Sequence, residues 1–87
     1  MTDEIRESTF NQAYIARTKA LRLRRFSSSE LMARALGIPH DRYRKYESRS
    51  PLPPYLIERF ALIAGCDVEF LVSGIENNYM KRARSGT

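Results

Sequence analysis

The chain reads as all-α, and three observations predict that class. Apolar residues recur at three- and four-residue spacing in five segments, and no stretch alternates with the period of two that a half-buried strand needs. Gly37, Gly65 and Gly74 each stand where one of those segments must stop, and glycine enters the left-handed helix-ending conformation without strain. Serines and prolines stand just ahead of the segments they would open.

The first segment runs from about Asn11 to Arg25. Tyr14, Ile15, Thr18, Leu21 and Phe26 fall roughly on one face, with Arg17, Lys19, Arg22, Arg24 and Arg25 on the rest as a mostly solvated basic surface from which one or two charges could reach a phosphate. Residues 1–10 are polar and hold Asp3, Glu4 and Glu7 against Arg6. They read as a frayed, flexible N-terminal segment.

The second segment spans about Ser28 to Leu36. Three serines offer caps, and Ser27 with Glu30 has the S-x-x-E spacing of a capping box. Leu31, Met32, Ala35 and Leu36 give the apolar spacing, and Gly37 ends it. The third segment opens at Pro39, whose fixed φ suits a first helical turn, and runs to about Ser48. Ile38, Tyr43 and Tyr46 can face inward. His40, Asp41, Arg42, Arg44 and Lys45 cannot all do so and must mostly face out.

Prolines at 51, 53 and 54 make the following stretch a stiff, extended connector. A fourth helix is expected from near Pro54 to Gly65, with Leu56, Ile57, Phe60, Ile63 and Ala64 inward. Asp67 opens a short fifth helix that carries Val68, Phe70, Leu71 and Val72 to Gly74. Residues 75–87 form a C-terminal extension, read as a further helix or a loose tail.

Eighty-seven residues allow one domain, here 11–74, with a modest core. Fifteen Lys and Arg against ten Asp and Glu give a net charge of +5, which favours an anionic partner. Cys66 is the only cysteine, so no internal disulfide and no zinc cluster is expected. The acidic start is unlike a signal peptide, and no apolar run approaches the ~20 residues that span a bilayer. The expectation is a cytoplasmic protein without a membrane partner. With no activated nucleophile, acid/base pair, metal cluster or glycine-rich phosphate loop in the sequence, no enzyme and no cofactor is expected either.

The stretch from Ser28 to Arg49 carries the functional signal. It combines a buried face, a sharp turn at Gly37 and a cationic second helix, the parts that place a helix in the major groove of DNA. The wider run from Tyr14 to Gly74 resembles the Cro/repressor-like (Xre-type) helix-turn-helix domains of bacteria and their phages. The matching residues are RTKALR at 17–22, the Ser28 cap, the inward Ala33, Leu36-Gly37-Ile38, KYE at 45–47, LPPYLIERFALIAG at 52–65 and DVEFLVSG at 67–74. These matches stand in register without a gap. Departures are Pro39, His40, Asp41 and Arg42 at the start of the third helix. Thr18 and Ser27 stand at positions where the family has leucines, with Phe26 placed to fill the second gap.

The resemblance implies a compact all-α, five-helix, lambda-repressor-like DNA-binding domain. It implies a sequence-specific transcriptional regulator that inserts its third helix, about Pro39 to Ser48, into the major groove of double-stranded DNA. By register, His40, Asp41, Arg44 and Lys45 would read bases. Arg44 and Lys45 can donate to guanine O6 and N7. Two roles fit Asp41: accepting from cytosine N4, or complementing the helix dipole. His40 fits a base contact, a pH-sensitive contact or a plain surface position. Ser28, Ser29, Arg42 and Arg49 would meet phosphates, although the two serines equally suit simple capping. Tyr43 and Tyr46 belong to the core on this reading, and Glu47 to an internal polar contact. A homodimer is implied through the fifth helix and the extension, since Phe70, Val72, Ile75 and Tyr79 exceed what a small core buries. The alternative is a protein-interaction module on the same fold, antitoxin-like or an adaptor, because a basic, tyrosine-rich face can also dock an acidic protein.

Overall fold

The computed structural model describes residues 3–75. Within them the chain forms five helices and no strand: α1 (Asp3–Arg25), α2 (Ser29–Leu36), α3 (His40–Lys45), α4 (Pro54–Ala64) and α5 (Val68–Ser73). α1 packs on α4 and α5, α2 on α4, and α3 on α2. No helix among the described residues is long and apolar enough to cross a membrane.

One apolar cluster joins the elements. Tyr14 and Leu21 of α1 meet Met32 and Leu36 of α2, Tyr43 of α3, Leu56 and Phe60 of α4 and Leu71 of α5. Leu52 of the connector is buried with them, and the Tyr14 hydroxyl donates to its carbonyl at 3.0 Å. Burial pushes the Tyr14 phenol up to about 12, with Arg17 pulling slightly the other way. Thr18 is fully buried on α1, and its hydroxyl donates to the Tyr14 carbonyl one turn back. The polar atom is thus satisfied inside its own helix, and a threonine occupies a core position at little cost.

α1 begins at Asp3 rather than near Asn11, so the described part of the 1–10 segment is helical. No glycine or proline interrupts that stretch, and Phe10 meets the Tyr14 ring edge-on at 6.0 Å. The overhang therefore has an apolar anchor on the core.

α2 corrects the expected capping box. Ser28 is the cap, in an extended conformation, and its Oγ accepts from the Leu31 amide at 3.2 Å. Ser27 is exposed, and Glu30 sits one residue too early to close a box with Ser28; it lies 3.7 Å from Arg34 instead. Met32, Ala33 and Leu36 are the buried residues, while Leu31 and Ala35 face out. The buried face thus runs through Met32, Ala33 and Leu36 rather than through Leu31 and Ala35 as spacing predicted. Gly37 then adopts φ +78°, and the Gly37 and Ile38 amides both return to the Ala33 carbonyl.

α3 is shorter than expected. Pro39 caps it from outside, and regular helix ends at Lys45 before a run of turns through Arg49. Phe26 packs on the core beside the exposed Ser27, with the Arg25 guanidinium 4.9 Å over its ring.

The basic residues of α1 are not a uniform solvated surface. Arg17 donates to the Leu71 and Val72 carbonyls at the end of α5, at 2.9 and 2.7 Å. Arg25 donates to the Ile63 carbonyl at the end of α4. Arg59 does the same for Leu36 at the end of α2. The last carbonyls of a helix lack intrahelical donors and sit at its negative pole. Three arginines supply both the proton and the charge.

Candidate nucleic-acid interface

α3 is held by its inner face and leaves its outer face open. Tyr43 is fully buried, and its hydroxyl donates to Glu47 Oε2. Arg22 of α1 grips the same carboxylate in a two-pronged pair, Nε to Oε2 and Nη2 to Oε1, both at 2.8 Å. The side chains are 7% and 8% exposed, so the pair is shielded from water and salt. Arg22 also donates to the Phe26 carbonyl. Burial, and then the bond to Glu47, raises the Tyr43 phenol far above the ordinary tyrosine range. The hydrogen bond to Glu47 likewise holds the Arg22 guanidinium more firmly protonated. α3 is consequently fixed to α1 by a buried ion pair and to α2 by apolar packing.

The polar residues of α3 and its flanks fall into three groups. Lys45 and Arg49 are exposed and make no ion pair among the described residues. Arg44 is exposed and lies 3.7 Å from Asp41, a loose contact across one helical turn. His40, Ser29 and Arg42 are tied to protein partners. His40 Nε2 and Ser29 Oγ are 2.7 Å apart, linking the first turn of α3 to the first turn of α2. Arg42 donates to the Tyr55 hydroxyl on α4. Ser28 is committed to capping α2.

The sequence assignment thus meets a mixed geometry. Asp41, Arg44, Lys45 and Arg49 are brought to one surface with Ser29, where they line an open concavity of about 630 Å³. Lys19, which spacing placed on an undifferentiated basic face, lines it too, as does the Arg22–Glu47 pair. Arg42 points instead toward α4. The signal for Lys19 is present in the chain: it lies one helical turn before Arg22, on the same side of α1. Nothing in periodicity announces that Arg22 is turned inward, because its partner is 25 residues away.

Tyr46 is only partly covered and meets Tyr43 edge-on at 6.3 Å. On α5, Phe70 and Val72 pack partly against the core, which leaves Val68 and Ile75 as the exposed large apolar residues there. Tyr79 and the rest of the extension lie outside the described residues.

Among the described residues no group of three or more His, Cys, Asp and Glu is placed to hold a metal ion. The arrangement places exposed cations, Arg44, Lys45 and Arg49, around a short helix whose inner face is held by Tyr43. Comparison with known proteins finds no matching family model, no matching curated protein and no matching solved structure.

Proposed function

We propose that the protein is a sequence-specific DNA-binding regulator of the lambda-repressor-like, Xre type, acting in the cytoplasm of a bacterium or a phage-infected cell. α2, the turn at Gly37 and α3 form its helix-turn-helix. Arg44 and Lys45 read base edges, with Asp41 and His40 beside them, and Arg49 with the Ser29 end of α2 meets phosphates. The observation that supports this most is the contrast across α3: its inner side is locked by Tyr43, Glu47 and Arg22, and its outer side carries exposed cations, Lys45 without an ion pair among the described residues and Arg44 in only a loose contact with Asp41. A helix that must read a groove needs both properties, rigidity behind and unpaired donors in front.

The proposal includes a homodimer built on α5 and the extension, for which the exposed Val68 and Ile75 are the described apolar surface. Two copies would place their α3 helices about one turn of duplex apart.

Selection of bound duplexes from a random pool tests the reading and returns the half-site spacing. On the selected site, Arg44→Ala and Lys45→Ala are each expected to lose roughly 1–3 kcal/mol of discrimination at one base pair. Their urea midpoints should match the parent protein. Unchanged operator affinity in both variants refutes the assignment of this face. Absence of duplex binding at ~50 mM salt, where phosphate contacts are strong, favours a protein-docking role for the same surface.

A further inference from the structure

The concavity beside α3 does not end at Arg49. A second one, of about 460 Å³, lies on the other side of the same loop and shares Ser48 and Arg49 with it. Its remaining wall is the N-terminal half of α1, from Glu7 to Ile15. Seven α1 residues line the two hollows, and five of them, Ser8, Gln12, Ile15, Lys19 and Arg22, are spaced four, three, four and three apart, with Glu7 and Asn11 beside them. That spacing is one continuous helix face. The two hollows are therefore parts of one trough, walled by α1 on one side and by the end of α3 and its loop on the other.

We infer that this trough is a track for the sugar–phosphate backbone of the duplex, and that α1 is a second nucleic-acid-binding helix. The inference rests on the DNA-binding reading and extends it to residues outside the α2–α3 unit. Three features carry it. Charge comes first: with Arg22 and Glu47 cancelling each other, the cations Lys19, Arg44, Lys45 and Arg49 share the lining with the acids Asp41 and Glu7 among the described residues. The uncharged lining is second: Ser8, Asn11, Gln12 and Ser48 supply hydroxyl and amide donors, the groups that join Arg and Lys in contacting phosphate oxygens. Length is third. From Ser8 to Arg22 the helix rises about 21 Å, the rise of about six nucleotides of one strand. α3, with six residues, offers about 9 Å. A surface confined to α3 would hold the protein on a short patch, whereas the trough more than doubles the backbone within reach. Glu7 marks the far end, where a carboxylate repels phosphate.

Two variants test this on the selected duplex, both at exposed positions. Lys19→Ala is expected to lower the slope of log K against log salt by about 0.9 and affinity by about eightfold at ~0.1 M salt, with base preference unchanged. Ser8→Glu combined with Gln12→Glu is expected to weaken a duplex that extends well beyond the base-read site. It should weaken one trimmed to that site much less. Thermal melting of both variants should match the parent. An unaltered slope and affinity for Lys19→Ala, while Arg44→Ala still weakens binding, overturns the track and leaves the α3 reading standing. Equal losses on long and trimmed duplexes overturn the part assigned to the N-terminal half of α1. A parent protein that binds no duplex overturns both readings together.

Discussion

Four arginines of α1 and α4 and two on the α3 side do opposite things. Arg17, Arg25 and Arg59 are turned onto the closing carbonyls of α5, α4 and α2, and Arg22 is buried against Glu47. Arg44 and Arg49 stand in solvent. The first set neutralises helix ends and a carboxylate, so it stabilises the fold and contributes little outward field. The second set keeps its hydration and its free donors. A net charge of +5 therefore says little about where an anion would sit. The same residue type is structural on one side and available on the other, and only the geometry of the partners separates the two uses.

The largest effect that would break this comparison is at the buried pair. Glu47→Ala should cost roughly 3–5 kcal/mol, because it strands the Arg22 cation and the Tyr43 hydroxyl together in a shielded site. Arg22→Met should fall in the same range, since it leaves the carboxylate unpaired. Arg44→Met, by contrast, should stay within about 0.5 kcal/mol of the parent. Urea unfolding of the three variants checks the ranking. Equal stability of Arg22→Met and Arg44→Met would erase the distinction between the two sets.

Alkaline pH gives a second, smaller test on the scaffold side. The Tyr14 phenol is raised to about 12 by burial, against about 10 in an unfolded chain. Between those values the folded protein retains a proton that the unfolded chain has released. Stability is then fully present below pH 10 and falls as pH rises toward 12. The urea midpoint should decline over that window, and Tyr14→Phe should flatten part of the decline. A midpoint that falls equally steeply in Tyr14→Phe would assign the loss to other groups. Tyr43, raised still further by burial and by Glu47, adds to the same slope from pH 10 upward, which is why Tyr14→Phe removes only part of it.

Much of the fold was legible because its signals are local. The helix ends at Gly37, Gly65 and Gly74 follow from one residue each and the proline connector from a few neighbours, whereas three consecutive serines left the cap of α2 open between Ser27 and Ser28. Spacing alone found Leu56 and Phe60 on the inner face of α4, but it missed the buried Ala61 and counted Ile57, Ile63 and Ala64, which are only partly covered. What escaped was set by partners distant in sequence. Arg17, Arg22 and Arg25 look identical along α1, and their separation depends on Leu71, Glu47 and Ile63. The early start of α1 rests on Phe10 meeting Tyr14, a weak contact that no periodicity marks. Tyr43 and Tyr46 read alike, yet only Tyr43 is fully buried, because α3 ends at Lys45 and Tyr46 begins the turn. Of the candidate site, the cationic character of α3 was legible, while the Ser29–His40 and Arg42–Tyr55 bonds were not.

The smallest effect sharpens the α3 side from within. Asp41 is 94% exposed, lies in the first turn of α3 and sits 3.7 Å from Arg44. Its two possible roles make different demands. As an electrostatic complement it favours the positive end of the helix and restrains Arg44 loosely, each effect worth only a few tenths of a kcal/mol in water. As a base acceptor it would discriminate cytosine at one position. The exposed contact and the missing side-chain cap on α3 favour the first role. Asp41→Asn is then expected to cost at most about 0.5–1 kcal/mol of stability. It should also raise affinity for duplexes of every sequence, since one carboxylate leaves the phosphate field and Arg44 is released. Binding to a panel of single-base operator variants separates the roles. A uniform gain across the panel supports the electrostatic one, and a preference changed at a single base pair would place the carboxylate on cytosine.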